Sequence, residues 1–254
     1  MVASLGIGSR SGRFFVLACR PITSTKPRVR DDPTDPSFRR GIAHRWAWHR
    51  VFPSADESQR AALKDVIDAL VAGGGKLIDT ASVYGNAESV IGDIVRRIFI
   101  ATKIEVRSAK AGADEFQRSL QRLRAENVDL LQLHNVSRAS QSLSQLREWK
   151  AAGRCRYVEI TSTFSADYNA MEAIIRREKP DFVQVDYSMD NRAAEKLILP
   201  AAVDAGAAVL TAMPFGRTSL FRAVKGRSLP DWAKDFDAAT WASFFSNTCS
   251  ATNG

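Results

Sequence analysis

The sequence predicts an α/β fold built around a parallel sheet, and two observations carry that prediction. From Ser54 onward, short apolar segments alternate with segments whose apolar residues recur at helical spacing, at intervals of roughly 25 residues. The short segments are mostly apolar, as expected of strands that helices cover on both faces. The length of 254 residues, with 45% hydrophobic and 25% charged residues, suits a globular protein with a substantial core.

The predicted elements begin with a helix near Ser54, where Glu57 completes a capping-box pattern and three glycines at 73–75 end the helix. Six predicted strands follow, at 76–81, 98–103, 128–134, 155–161, 182–187 and 207–213. The predicted helices between them cover 87–95, 114–124, 143–152, 166–179 and 193–205. Six such units favour a TIM-type (β/α)8 barrel, although their rhythm alone also allows a doubly wound open sheet.

The formal net charge of +8 is concentrated at the N-terminus. Residues 1–55 hold 10 Lys and Arg against 3 Asp and Glu, which leaves 26 basic and 25 acidic residues for 56–254. We predict that 1–55 is an irregular basic segment, because prolines and charge clusters interrupt it, and that 56–254 is the barrel domain. The arginines of the segment form no recognisable module, so nucleic-acid or membrane-surface binding is the least favoured function.

Composition excludes several other classes of site. Three widely spaced cysteines without a Cys-x-x-Cys pair support neither a disulfide framework nor a zinc knuckle. His44 and His49 have no third ligand nearby, so we predict an amphipathic or irregular stretch there and no metal site. No apolar run approaches the ~20 residues of a membrane span, and the run at 14–19 is too short for a secretory signal. We therefore expect a cytoplasmic protein of unassigned oligomeric state.

Polar residues follow the predicted strands where each one ends, which is the face of a parallel barrel that carries the active site. The earliest in the chain are Asp79, Tyr84, Lys103 and His134. An ammonium group beside a phenol lowers the phenol pKa, a buried aspartate keeps the lysine charged, and a histidine can polarise a carbonyl oxygen. This set suits carbonyl reduction, in which a cofactor supplies the hydride because no side chain can.

Five segments at these strand ends resemble the aldo-keto reductases. They are GGKLIDTASVYGNAE at 74–88, IATK at 100–103, VDLLQLH at 128–134, FVQVDYS at 182–188 and Pro-Phe-Gly at 214–216. Together they cover roughly residues 56–245 in the family's order. The resemblance implies an NADP-dependent oxidoreductase on a TIM barrel that reduces a small aldehyde or ketone with NADPH. It also implies that Tyr84 is the general acid, that Lys103 and Asp79 tune it, and that His134 orients the carbonyl.

The resemblance further implies a set of cofactor contacts on the later strands. The residues concerned are Thr161, Ser162, Gln184, Pro214, Phe215 and Arg217. The first two stand where the family usually has Ser-Asn, and with Gln184 they are expected to contact the nicotinamide carboxamide. The other three belong to the segment expected to form part of the pyrophosphate loop. Ala212 or Met213 occupies the place of the family's aromatic residue that stacks on the nicotinamide, so the chain departs from the pattern there.

Both ends of the chain also depart from the family pattern. LGIGS at 5–9 resembles the family's first strand, yet about 45 irregular residues separate it from the first predicted helix. WASFF at 241–245 resembles the start of the seventh barrel helix, after which the eighth strand and the last helix are missing. We therefore expect an incomplete barrel with an uncertain first strand. The alternative function is that of a truncated, catalytically impaired relative without enzymatic activity.

Overall fold

The computed structural model of the protein describes residues 43–44, 57–73, 75–95, 98–106, 108–137 and 141–250. The strands are β1 (Ala43–His44), β2 (Leu77–Asp79), β3 (Phe99–Ile104), β4 (Val128–Leu133), β5 (Cys155–Ser162), β6 (Phe182–Asp186) and β7 (Ala208–Ala212). The helices are α1 (Glu57–Ala72), α2 (Ala87–Ile94), α3 (Ala109–Leu123), α4 (Ser144–Ala151), α5 (Tyr168–Glu178), α6 (Ile198–Ala205), α7 (Ser219–Ala223) and α8 (Trp241–Ser250). In the described residues, no helix is both long enough and apolar enough to cross a membrane.

The seven strands of the described residues form one parallel sheet in the order β1-β7-β6-β5-β4-β3-β2. From β2 to β7 each strand lies beside its predecessor in the sequence, as in a barrel, whereas a doubly wound sheet reverses direction at a switch point. Within the described residues β1 pairs only with β7 and β2 pairs only with β3, so the sheet is curled but not closed. The predicted incomplete barrel is confirmed.

The two faces of the sheet bury different sets of side chains because successive residues of a strand point in opposite directions. On one face, strand residues such as Ile104, Leu131 and Val183 share a large core with helix residues that include Phe116 and Ile174. On the other face lies a smaller apolar cluster that consists of Leu77, Ala101, Leu130, Phe182 and Leu210. This cluster supports the polar side chains that follow it along the strands.

Two helix boundaries differ from their predictions for local reasons. Helix α3 begins at Ala109 rather than at residue 114, since the Ser108 hydroxyl accepts a hydrogen bond from the Ala111 backbone N–H at 3.2 Å and caps the earlier turn. The single helix predicted over 193–205 is divided into a 3₁₀ turn at Ala193–Lys196 and helix α6, with Leu197 outside helical geometry. Pro200 is tolerated in the first turn of α6, but it would break a continuous helix.

The N-terminal segment contributes a short strand where the sequence predicts irregular structure. Residues Ala43–His44 pair in parallel with Leu210 and Thr211 of β7. Two residues are too few to carry a periodic pattern, so hydropathy alone could not reveal this strand. The predicted first strand at 5–9 and the predicted cap at Ser54 lie outside the described residues, as does His49.

Candidate active site

A buried ion pair lies at the centre of the candidate site. The Lys103 ammonium on β3 donates a hydrogen bond to Oδ2 of Asp79 at the end of β2, and a second one to the Thr80 carbonyl oxygen at 2.8 Å. The side chains of Lys103 and Asp79 are 1% and 0% exposed. Burial of two charges is costly unless they are paired and hydrogen-bonded, as they are here. The pair therefore fixes a cation inside the barrel at a defined place.

Tyr84 lies beside this cation, and His134 lies beside Tyr84. The Lys103 Nζ atom is 5.3 Å from the centre of the Tyr84 ring, and the Tyr84 and His134 ring centres are 6.1 Å apart at an interplanar angle of 80°. Tyr84 is buried and His134 is partly exposed. The structure thus groups the four residues predicted to be catalytic, with the Tyr84 ring near a buried ammonium and near an imidazole.

The loop that carries Tyr84 continues the strand ladder before it turns. Its Thr80 and Ser82 backbone N–H groups donate to the carbonyl oxygens of Ala101 and Lys103 on β3, at 2.9 and 3.1 Å. The chain then turns, with the Tyr84 N–H bonded to the Ala81 carbonyl at 3.0 Å. The path of the Tyr84 backbone is therefore set by β3, the strand that also carries Lys103.

Sequence reasoning missed two buried polar residues, Gln132 and Glu159. The Gln132 side-chain amide donates to Oδ1 of Asp79, so both oxygens of that carboxylate are engaged. The Gln184 amide donates to Gln132 Oε1 at 3.0 Å and to Glu159 Oε1 at 3.1 Å. A signal for both was present, because each polar residue is flanked by apolar residues of its strand. In the structure the two are register partners on β4 and β5.

The residues assigned to the nicotinamide carboxamide fall into two places. The Thr161 hydroxyl donates to Gln184 Oε1 at 2.9 Å, which joins these two residues to the polar chain that leads to Asp79. The Ser162 hydroxyl instead donates to Asp167 Oδ2 at 3.0 Å and accepts from the Phe164 backbone N–H at 3.2 Å. Thr161 and Gln184 therefore stand together, whereas Ser162 is engaged by the loop that follows β5.

The segment assigned to the pyrophosphate divides between buried and exposed residues. Pro214 and Phe215 are buried, and the Phe215 ring packs 5.0 Å from Phe221 in an apolar cluster next to helix α8. Arg217 is exposed, and its charge acts on Asp186 at the end of β6. Of the three side chains, the Arg217 guanidinium is the one presented to solvent.

Two neighbouring loops at this end of the sheet are tied together through Asp190. Its carboxylate accepts hydrogen bonds from the hydroxyls of Ser188 and Ser219, which follow β6 and β7 respectively. Gly216 lies against this carboxylate with a φ of +54°, and a Cβ there would come within 2.5 Å of the Asp190 Oδ1 atom. Position 216 therefore requires glycine for its backbone conformation and for the close approach.

Two aspartates in this region have pKa values displaced in opposite directions. Burial raises the pKa of Asp186 above its usual value, although the Arg217 charge and a hydrogen bond from Asn191 partly oppose the shift. Hydrogen bonds, that from Ser219 first, lower the pKa of Asp190. At neutral pH the ionised Asp186 carboxylate thus destabilises the folded state, whereas the ionised Asp190 carboxylate stabilises the folded state.

These shifts predict opposite effects for two isosteric variants. Asp186→Asn is expected to raise the free energy of unfolding at pH 7. The gain should fade below the normal carboxyl pKa of about 4, where Asp186 of the wild type is protonated in the folded and in the unfolded state. Asp190→Asn is expected to lower the free energy of unfolding at neutral pH, and that loss should fade on acidification. Urea unfolding at both pH values measures the differences, and changes of the same sign would contradict the prediction.

The sequence also matches a family model, "Aldo/keto reductase family", over residues 45–243. The chain belongs to the aldo/keto reductase family. The matched region covers most of the chain and includes every residue assigned to the site. It begins at residue 45, within the segment 1–55, so the proposed division at residue 55 stays a prediction. The resemblance inferred from the five strand-end segments is confirmed.

Solved aldo-keto reductase structures share the fold of this chain. An enzyme from Klebsiella pneumoniae in complex with NADPH has a TM-score of 0.64 at 22% identity, over 79% of this chain and 74% of that one. The holo form of an aldo-keto reductase from Bacillus halodurans has a TM-score of 0.61 at 22% identity, over 74% of this chain and 66% of that one. A glycerol dehydrogenase from Gluconobacter oxydans has a TM-score of 0.58 at 24% identity. The match covers 70% of this chain and 61% of the dehydrogenase, so this chain spans less than two thirds of that relative. Comparison with curated protein sequences finds no significant match.

No metal centre accompanies this site in the part of the chain that the structure describes. No group of three or more His, Cys, Asp or Glu side chains there is arranged to hold a metal ion. The polar groups near Tyr84 are instead a cation, a carboxylate and amides that bond to one another. The chemistry open to these side chains is proton donation and charge stabilisation at a ligand oxygen.

Proposed function

We propose that the protein reduces a small aldehyde or ketone to an alcohol with NADPH, and that Tyr84 donates the proton. The observation that carries this proposal is the buried Asp79–Lys103 pair beside Tyr84, whose ring lies next to His134, at the strand ends of an aldo/keto reductase family chain. The family match supports an oxidoreductase, and the Klebsiella pneumoniae relative was solved with NADPH.

The residues present fit a nicotinamide cofactor. Gln184 uses both amide hydrogens within the barrel, but its oxygen accepts only the Thr161 hydroxyl in the described residues. A second lone pair on that oxygen is therefore available for the carboxamide N–H of the cofactor. Arg217, exposed at the loop after β7, provides a cation for a phosphate group. When bound, NADPH supplies the hydride that no side chain can provide.

The other residues handle the proton and the charge at the carbonyl oxygen. His134 and Tyr84 lie close together on neighbouring elements, and both would donate hydrogen bonds to that oxygen, which polarises the carbonyl. Tyr84 then gives up its proton, and the Lys103 cation stabilises the phenolate that remains. Asp79, held on both sides by Lys103 and Gln132, keeps the ammonium charged inside the barrel.

The accompanying assignments are a small carbonyl substrate, no nucleic-acid or membrane partner, and a cytoplasmic location. The free, buried thiol of Cys155 suits a reducing compartment. Burial raises the pKa of this thiol to about 12, so the thiolate form that reacts with oxidants is suppressed. The division into a basic segment, 1–55, and a barrel domain, 56–254, belongs to the same proposal.

NADPH titration tests the proposal before any substrate is known. Quenching of protein fluorescence is expected to saturate at NADPH concentrations of about 1 µM to 1 mM, the range in which KM values usually fall. A panel of aldehydes and ketones is then screened for NADPH consumption. Absence of saturable binding in a chain that unfolds cooperatively would overturn the proposal.

A second candidate is a family member that folds but does not turn over substrate. Two features favour it: the sheet is open at β1 and β2 within the described residues, and an aliphatic residue, Ala212 or Met213, stands where the family has a stacking aromatic. A cooperative thermal transition together with NADPH turnover would remove this candidate. A cooperative transition without turnover would support it.

A further inference from the structure

A groove lies outside the barrel, between helix α3 and the loops that leave β2 and β3. Its volume is about 450 Å³, and five of its eight lining residues have charged side chains. The lining includes Ser82, Glu105, Asp114, Glu115 and Arg122. Arg122 is already paired with the buried Glu88 carboxylate at 2.7 Å. The notable member is Glu115, because its contacts lead to the candidate active site.

One oxygen of Glu115 joins two separate parts of the chain. Its Oε1 atom accepts a hydrogen bond from the Ser82 hydroxyl and another from the Glu105 backbone N–H at 3.2 Å. Ser82 lies two residues before Tyr84, and Glu105 lies two residues after Lys103. The single carboxylate therefore contacts both of the segments that carry the proposed proton donor and the cation beside it.

The backbone of the same region adds a direct link between these segments. The Ser82 N–H donates to the Lys103 carbonyl oxygen at 3.1 Å. The Ser82 hydroxyl and the Glu105 N–H thus come from adjacent backbones, and Glu115 caps them from helix α3. Because hydrogen bonds to an ionised acceptor are roughly twice as strong as neutral ones, the carboxylate limits the movement of these backbones relative to each other.

We propose that Glu115 is a positioning residue, which holds the Tyr84 loop against strand β3 so that the phenol stays next to the Lys103 ammonium. This inference rests on the proposed function. It assigns a role in reactivity to a side chain on the outer surface of the barrel that touches neither substrate nor cofactor. Small misplacements of a reacting group cost rate more than binding, so the effect of losing Glu115 falls on kcat.

Three variants separate positioning from general structure. Glu115→Ala removes the acceptor of both hydrogen bonds, whereas Glu115→Gln keeps an oxygen at the same place. Asp114→Ala changes the neighbouring carboxylate, which lines the same groove and interacts with Lys110 at 3.7 Å on the exposed side of α3. Ser82→Ala removes the hydroxyl that donates to Glu115. It replaces Glu115→Ala in the experiment if that variant folds poorly.

Two readouts are measured on the full chain. Hydrogen exchange followed by mass spectrometry is expected to show faster exchange of segment 80–86 in Glu115→Ala and Ser82→Ala, but not in Asp114→Ala. In NADPH-dependent reduction, Glu115→Ala is expected to lower kcat by roughly 10- to 100-fold with little change in the KM for NADPH. Glu115→Gln is expected to recover most of the loss in both readouts.

The outcomes distinguish this inference from the proposed function. If hydrogen exchange of segment 80–86 is the same in Glu115→Ala and Ser82→Ala as in Asp114→Ala, Glu115 does not tether the Tyr84 loop to β3. The inference is then overturned. If exchange changes as expected but kcat does not, the tether exists without a positioning role, and the inference is again overturned. If the wild-type chain lacks NADPH-dependent activity, the proposed function and the positioning role fail together, while a selective change in exchange still establishes the tether.

Discussion

Replacing Tyr84 with phenylalanine is expected to lower kcat for carbonyl reduction by about 10²- to 10⁴-fold, the usual contribution of a positioned acid. The substitution removes one hydroxyl from a buried ring next to Lys103 and leaves the rest of the ring in place. Since the hydroxyl acts on the carbonyl oxygen and not on the cofactor, the affinity for NADPH should stay within about 3-fold of wild type. Steady-state kinetics and a fluorescence titration measure the two quantities.

Tyr187→Phe is the matched control for this experiment. Tyr187 is also buried and follows a strand of the same sheet, but its hydroxyl donates to Glu195 at 2.6 Å outside the candidate site. Its removal should leave kcat near the wild-type value. Equal losses in the two variants would show that the effect of Tyr84→Phe is structural, and an unchanged kcat in Tyr84→Phe would exclude Tyr84 as the proton donor.

Replacing Lys103 with methionine is expected to destabilise the fold by about 3–5 kcal/mol and to abolish carbonyl reduction. The substitution leaves the carboxylate of Asp79 fully buried and without its cation, and breaking a buried pair by removing one partner costs about this amount. The same change removes the positive charge that would stabilise the Tyr84 phenolate. Urea unfolding measures the stability, and NADPH consumption measures the activity.

The double variant Asp79→Asn with Lys103→Met separates the two effects. It replaces both charges by neutral groups of similar shape, so much of the lost stability should return because no unpaired charge stays buried. Activity should not return, since the tuning cation is still missing. A double variant no more stable than Lys103→Met would show that the cost does not come from the unpaired carboxylate, and a double variant with wild-type activity would exclude the tuning role.

The sequence predicted the strands because their local patterns are strong, and the structure brings the four residues proposed as catalytic close together. Apolar runs such as those of β4 and β6, between helical segments, favour buried strands, and parallel strands bring their carboxyl ends to one edge of the sheet. Asp79, Lys103 and His134 each lie at such an end, and Tyr84 follows in the first loop. Their grouping therefore follows from topology before any side-chain contact is known.

The polar chain inside the barrel was missed because its meaning depends on neighbouring strands. Gln132 and Glu159 are polar residues flanked on both sides by apolar residues of their strands, and a single sequence does not say which strand register brings them together. In the structure, Gln132 pairs in register with Lys103 on one side and with Glu159 on the other. Both fully buried side chains then find partners across the sheet. Their contacts are long-range consequences of barrel curvature and register.

Other differences arise where a short local feature overrides a periodic pattern. The cap at Ser108 starts α3 early, and Pro200 restricts where α6 begins. The contacts of Glu115 were also hidden, since an acidic residue on a helix is ordinarily a solvated side chain. They become visible only when α3 is placed against the loops that follow β2 and β3.

Transfer of deuterium from labelled NADPH tests the central claim most directly. The cofactor is deuterated at the transferable position of its nicotinamide, and the alcohol formed from each carbonyl substrate is analysed by mass spectrometry. The mechanism predicts one deuterium on the former carbonyl carbon with the wild-type chain and with Tyr187→Phe, and a rate reduced by about 10²-fold or more with Tyr84→Phe. A folded chain that binds NADPH but transfers no deuterium to any aldehyde or ketone would contradict it.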